Sequence, residues 1–171
     1  MTTPLLSIDN LNVNFILDGR VIPAVRGAGF SVGLHETVVV AGESGSGKTV
    51  TSLAVCRLLP PNAVGTAGSI RFRGRDTLDM PEKELIALRG REVAYVFQEP
   101  VSFLNPVFTI GEQIVEAIRL HQGGSRAQAF GQARELLGQV RIADPDRVLQ
   151  GYPHQLSGGM NQRVFIAMSL A

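Results

Sequence analysis

Residues 41–52 read AGESGSGKTVTS, a cluster of glycines and serines between the valine run Val38–Val40 and an apolar stretch that continues to Leu59. Within it, Gly42-Glu43-Ser44-Gly45-Ser46-Gly47-Lys48-Thr49 fits the spacing GxxxxGK(S/T). Each residue type has a physical task in holding a phosphate chain. Glycines reach backbone angles that a side chain forbids, so consecutive N–H groups can curl around an anion. A helix beginning near Lys48 turns the positive end of its dipole toward the same place. Lys48 then reaches the β- and γ-phosphates, and the Thr49 hydroxyl binds Mg2+. Four fixed positions at this spacing occur by chance in only about one window in 10⁴–10⁵ at ordinary composition. A nucleoside triphosphate is therefore the expected ligand, in preference to a plain strand-to-helix turn. The loop alone does not say what work the nucleotide does.

Outward from the loop, Val38–Val40 reads as a strand buried on both faces, as in a parallel sheet. The pattern from Lys48 to Leu59 predicts a helix, stopped by the prolines of PPN at 60–62. LLSIDNLNVNFIL alternates apolar and polar residues and predicts a strand over Ser7–Leu17, closed by the turn DGR. A second short strand is expected over Gly29–Val32. In GSIRFRGR, residues 68–75, Ile70 and Phe72 share one strand face while Arg71 and Arg73 share the other, a solvated basic stripe. Pro81 opens a short helix over 81–89, and EVAYVFQ reads as another buried strand ending at Gln98. Helices are expected over 110–121 and 125–140, the second capped by Ser125. A last helix begins near Gly159. Strands alternating with helices imply an α/β fold with a largely parallel sheet.

Bulk properties bound the function. At 171 residues the chain is one domain by length, and 44% hydrophobic against 18% charged residues is a globular composition. A net charge of +1 provides no field to draw in nucleic acid or anionic lipid, so no nucleic-acid partner is expected. Cys56 is the single cysteine, which excludes an internal disulfide and favours a reducing compartment. His35, His121 and His154 form no Cys/His cluster, so zinc is not expected. The N-terminus lacks a basic-then-apolar signal pattern. No apolar run approaches the roughly 20 residues needed to span a bilayer.

LSGGMNQR, residues 156–163, resembles the signature motif of ATP-binding cassette (ABC) proteins, and VAYVFQEPVSFLNPVFTIGEQI, residues 93–114, resembles their Q-loop. GESGSGK, FQEPVSFLNPVFTIGEQI and YPHQLSGGM are similar to the peptide and nickel uptake branch of that family. The resemblance covers residues 5–171. It implies a P-loop NTPase core with N-terminal antiparallel strands, formed by 1–97 and 159–171, and a Q-loop and helical subdomain over about 98–158. It also implies that Leu156, Ser157, Gly158, Gly159 and Met160 meet the nucleotide held by the other subunit of a head-to-tail dimer. Gln98 would be the catalytic-site residue approaching the attacking water, and would share the Mg2+ with Thr49. Phe15 falls where the family often stacks an aromatic ring on adenine, though the strand pattern serves it equally well as a core residue. The segment from Gln98 to Pro106 would face membrane permease subunits, with a solute-binding protein engaged indirectly. Two departures stand out. Asn161 occupies a position where a basic residue is frequent, and would weaken a surface contact to the signature helix. Phe103 stands where a smaller residue is usual.

The role implied is an ATP-binding subunit energising import of peptides, nickel or related solutes, on the cytoplasmic face of the bacterial inner membrane. In the family, an apolar strand with the Walker B aspartate follows VFIAMSLA, then a catalytic glutamate and a switch histidine. No carboxylate follows Asp146, so these 171 residues are expected to be a fragment that binds nucleotide without hydrolysing it and leaves the valine strand an unpaired apolar edge. A soluble ABC ATPase acting on DNA or ribosomes is the alternative. It would be expected to bring a coiled-coil insertion or a basic surface, and the sequence has neither.

Overall fold

The computed structural model describes residues 3–97 and 100–171, which divide into two compact units, Met1–Leu88 and Arg89–Ala171. In the first, β1 (Leu6–Leu17) and β2 (Arg20–Val32) form a hairpin around Asp18-Gly19. Both turn residues have positive φ, 50° and 72°, the two-residue geometry whose twist matches the strands it joins. β1 falls where alternation put it. β2 is much longer than the expected Gly29–Val32, because pairing with β1 resumes past Gly29, Gly27 and Pro23 after register shifts between Phe30 and Pro23. Pro23 is tolerated because β2 is an edge strand.

β3 (Ala63–Phe72) pairs antiparallel with the other side of β1, and β4 (Arg75–Asp76) with β3, giving the order β2-β1-β3-β4. Ile8, Leu11, Val13, Ile70 and Phe72 are buried, whereas Arg71 and Arg73 are exposed, the division expected from the sequence. The Arg73 guanidinium lies 5.6 Å over the Phe72 ring. The register shifts between Asp9 and Asn12, opposite Gly68, whose φ is +102°.

α1 (Lys48–Val55) is shorter than the predicted helix. Arg57 adopts φ 51°, its N–H donates to Ala54 O, and Leu58 N–H donates to Leu53 O. That double bond closes a helix end before the prolines can. α2 spans Glu82–Leu88, as expected after Pro81.

The expected parallel layer is corrected. Val38, Val39 and Val40 lie outside any strand and are 36%, 82% and 48% exposed. Among 92–97, the described part of EVAYVFQ, only Val93 makes a bridge, to Arg89, and 94–97 carry no strand. A strand apolar on both faces forms only where neighbours complete its ladder. Apart from that bridge, the ladders among the described residues are antiparallel and belong to β1–β4.

The second unit is helical: α3 (Ile110–Gln122), α4 (Arg126–Gln139), α5 (Pro145–Gln150) and α6 (Gly158–Ser169), around a core that includes Ile114, Ile118, Leu137, Leu149 and Val164. Ser125 caps α4 as predicted, its Oγ accepting from Gln128 N–H. α5 lies between the helix expected over 125–140 and the one near Gly159, where no helix was expected. Asp144 Oδ1 accepts from Arg147 N–H and Pro145 sits at the first turn, a local start signal in so short a helix that periodicity could not reveal it. α6 packs with α3 and α4 in the same helical core.

Thr109 caps α3 reciprocally with Glu112: Glu112 N–H donates to Thr109 Oγ1, while Thr109 N–H and Oγ1–H donate to Glu112 Oε2 at 2.9 and 2.8 Å. These bonds, with Arg126 beside them, hold the Glu112 carboxyl below its ordinary pKa. A carboxyl whose pKa is lower in the folded chain stabilises fully above its unfolded value, and that contribution disappears as pH falls through the folded value. The stability difference between wild type and Glu112→Gln is therefore expected to be constant near neutrality and to close on acidification below the ordinary glutamate range. Urea melts at a series of pH values measure it. A pH-independent difference would contradict the cap.

Candidate phosphate-binding site

Gly42–Thr49 forms a loop that opens onto the first turn of α1, as the spacing required. Gly47 is the N-cap of α1 with φ 88° and ψ 3°, and no side chain caps the helix. A Cβ there would stand 2.7 Å from Ala24 O and 3.2 Å from Val25 Cγ2 of β2, so the sheet fits only glycine at this point. The consequence is chemical. The first N–H groups of a helix have no intrahelical acceptor, and here neither a capping side chain nor an acidic residue in the first turn competes for them or repels an anion.

Lys48 supplies the charge. Its Nζ donates to Gly42 O at 2.8 Å, Glu43 O at 2.7 Å and Ser46 Oγ at 3.4 Å, drawing the ammonium across the loop. Ser46 N–H donates to Glu43 O at 3.2 Å, which tightens the same turn. Gly42 through Ser46 are exposed, and Gly47 and Lys48 half-buried, so the loop is open to solvent on one side and braced by β2 on the other. The Thr49 residue is exposed in the first turn of α1. Its carbonyl accepts from Ser52 Oγ at 3.0 Å. Flexible composition here encodes a folded cradle.

Phe15 is half-buried on β1, opposite Ile22 of β2 and Ala63 of β3, none of them loop residues. Gln98 and Glu99 are outside the described residues. Phe103 is 49% exposed, and its ring stacks on Phe97 with centroids 4.0 Å apart and approaches Phe165 of α6 at 6.1 Å. A bulky residue at 103 is thus accommodated by aromatic packing. Of the three histidines, His154 stacks on Tyr152 at 5.7 Å. Among the described residues no group of three or more His, Cys, Asp or Glu could hold a metal ion.

In the second unit, Ser157 is the N-cap of α6 and its Oγ accepts from Met160 N–H at 3.3 Å. Ser157, Gly158 and Gly159 are exposed, and a Cβ at either glycine would meet nothing within 4 Å. Leu156 and Met160 turn inward and pack against the helical core. Only the middle of the motif faces outward. Asn161 is corrected: it is 2% exposed, so it does not stand at the surface, where a weakened contact was expected. Its Nδ2 donates to Pro153 O at 3.0 Å and Leu156 O at 3.5 Å. Nothing in the local sequence signalled this, because tertiary packing buries a polar residue whatever its hydropathy.

Comparisons with known proteins bear on both motifs. The model of the ABC transporter family matches residues 25–171. Two curated relatives are named Glutathione import ATP-binding protein GsiA. That of Shigella dysenteriae serotype 1 (strain Sd197) is 49% identical and that of Escherichia coli (strain K12) 47%. Each alignment covers 97% of this chain and 28% of the relative, so the chain spans less than a third of the length of these relatives. Among solved structures, the dimeric ATP-binding cassette MJ0796 in a post-hydrolysis state bound to ADP and Pi superposes with a TM-score of 0.82 at 25% identity, over 96% of this chain and 68% of that one. A bacterial Atm1-family ABC exporter with ATP bound gives a TM-score of 0.73 at 26% identity, over 98% of this chain and 27% of that one.

Proposed function

The chain belongs to the ABC transporter family, and from that premise we propose that it is the ATP-binding part of an importer for peptides, nickel or related solutes. The observation that carries the reading is the uncapped start of α1, with Lys48 Nζ drawn over the Gly42–Ser46 loop. A triphosphate suits that arrangement: amides meet its oxygens, the helix end and the ammonium offset its charge, and the first turn of α1 carries no acidic residue. Mg2+ fits as an ion carried by the phosphates and met by the Thr49 hydroxyl, with Gln98 as the further residue implied. Such sites usually hold Mg2+ through few protein groups and substrate oxygens.

Ser157, Gly158 and Gly159 are proposed to meet the nucleotide of a second ATPase subunit, for which their exposure leaves room. The import role is supported by the names of the relatives, both import ATP-binding proteins. Within it, the Gln98–Pro106 segment would face permease subunits at the cytoplasmic side of the inner membrane, and a solute-binding protein would act indirectly. No described helix is long and apolar enough to cross a membrane.

Uptake separates the solutes. In cells carrying Lys48→Ala in the intact gene, uptake of labelled glutathione, a dipeptide or nickel is expected to fall to the level of a deletion strain for one of the three. Unchanged uptake of all three would contradict the importer reading.

A further inference from the structure

We infer that Asn161 is a positioning residue for the α6 end of the site, a role that rests on the proposed reading of Ser157–Gly159. Among the described residues it is the buried polar side chain of the helical unit. Its amide nitrogen is shared between the carbonyls of Pro153, in the short 3-10 turn Pro153–Gln155, and Leu156, which immediately precedes Ser157. Its own backbone N–H donates to Ser157 O at 2.9 Å. One residue therefore ties both ends of the turn that presents the exposed serine and glycines.

The orientation of that amide follows from its partners. Turning it over would set Oδ1 against two carbonyl oxygens, so the nitrogen must face them. Oδ1 is left buried without a partner. A half-satisfied buried amide is a costly choice for a core position, and the benefit lies in what its donor side holds. Ser157 and the two glycines have little packing of their own to fix them. Without the clamp, amides meant for a phosphate would first have to be ordered by it, and binding would weaken accordingly.

The test uses the chain with Asn161→Leu, which keeps the branching without a donor, and Asn161→Gln, which restores one. Amide exchange at residues 156, 160 and 161 is expected to accelerate about tenfold in Asn161→Leu, while the C-terminal half of α6 is unchanged. Asn161→Gln is expected to regain much of the protection. If Asn161→Leu does not fold, Asn161→Ala is read the same way. With Mg2+ and a nonhydrolysable ATP analogue, affinity at the Lys48 loop should match wild type, but nucleotide-dependent self-association should drop about tenfold and return with glutamine. A generally destabilised helix would accelerate exchange throughout α6 and would not show this split. Equal local exchange in wild type and Asn161→Leu overturns the inference, as does self-association that wild type shows and Asn161→Leu matches. If exchange changes as expected but wild type never self-associates, the clamp stands and the two-subunit reading fails.

Discussion

Lys48→Ala is expected to weaken ATP binding roughly 10- to 150-fold, the equivalent of about 1.5–3 kcal/mol for hydrogen bonds to a charged group. Two losses combine. The ammonium that would meet the phosphate chain is gone, and so are the bonds by which Nζ holds the carbonyls of Gly42 and Glu43 and reaches Ser46 Oγ. The loop is then less ordered before nucleotide arrives, and ordering it costs affinity. Calorimetry on wild type and variant measures the effect, with circular dichroism to show that both are folded. Affinities within twofold of one another would mean that the loop does not hold the phosphates.

Gly68→Ala is expected to destabilise the sheet unit by about 4 kcal/mol or more, in the exceptional range for a single substitution. A Cβ at 68 would stand 2.4 Å from Asn10 O, 2.6 Å from Asp9 O and 2.7 Å from the Asn10 carbonyl carbon. All three are backbone atoms of β1, the strand paired with both β2 and β3, so no side chain can swing aside. The φ of +102° adds a penalty that alanine cannot avoid. The bulge would have to open, and with it the register that buries Leu11 and Val13. Urea denaturation would reveal the shift. A change below about 1 kcal/mol would show that the strand slides past the added methyl at little cost.

What the sequence disclosed and what it hid follow one physical division. The turn at Asp18-Gly19, the cap at Ser125 and the start of α1 after the glycine-rich loop are set by residues within a few positions of each other, and each formed where the pattern placed it. Val38–Val40 and Glu92–Phe97 failed as strands because a strand is a property of its neighbours. Hydrophobicity alone cannot provide a ladder. The burial of Asn161 was hidden for a related reason: the carbonyls of Pro153 and Leu156 that receive its amide are brought to it by tertiary packing. The start of α5 was written in Asp144 and Pro145, but six residues are too few for a helical period to register.

The phosphate cradle itself is tested most directly by competition. A fluorescent ATP analogue bound to the chain in the presence of Mg2+ is challenged with ATP, ADP, inorganic tripolyphosphate and adenosine. Because amides at the start of α1 and the Lys48 ammonium address phosphate oxygens, ATP, ADP and tripolyphosphate are expected to displace the probe, and adenosine at equal concentration to leave it in place. Displacement by adenosine with no effect of tripolyphosphate would contradict the account.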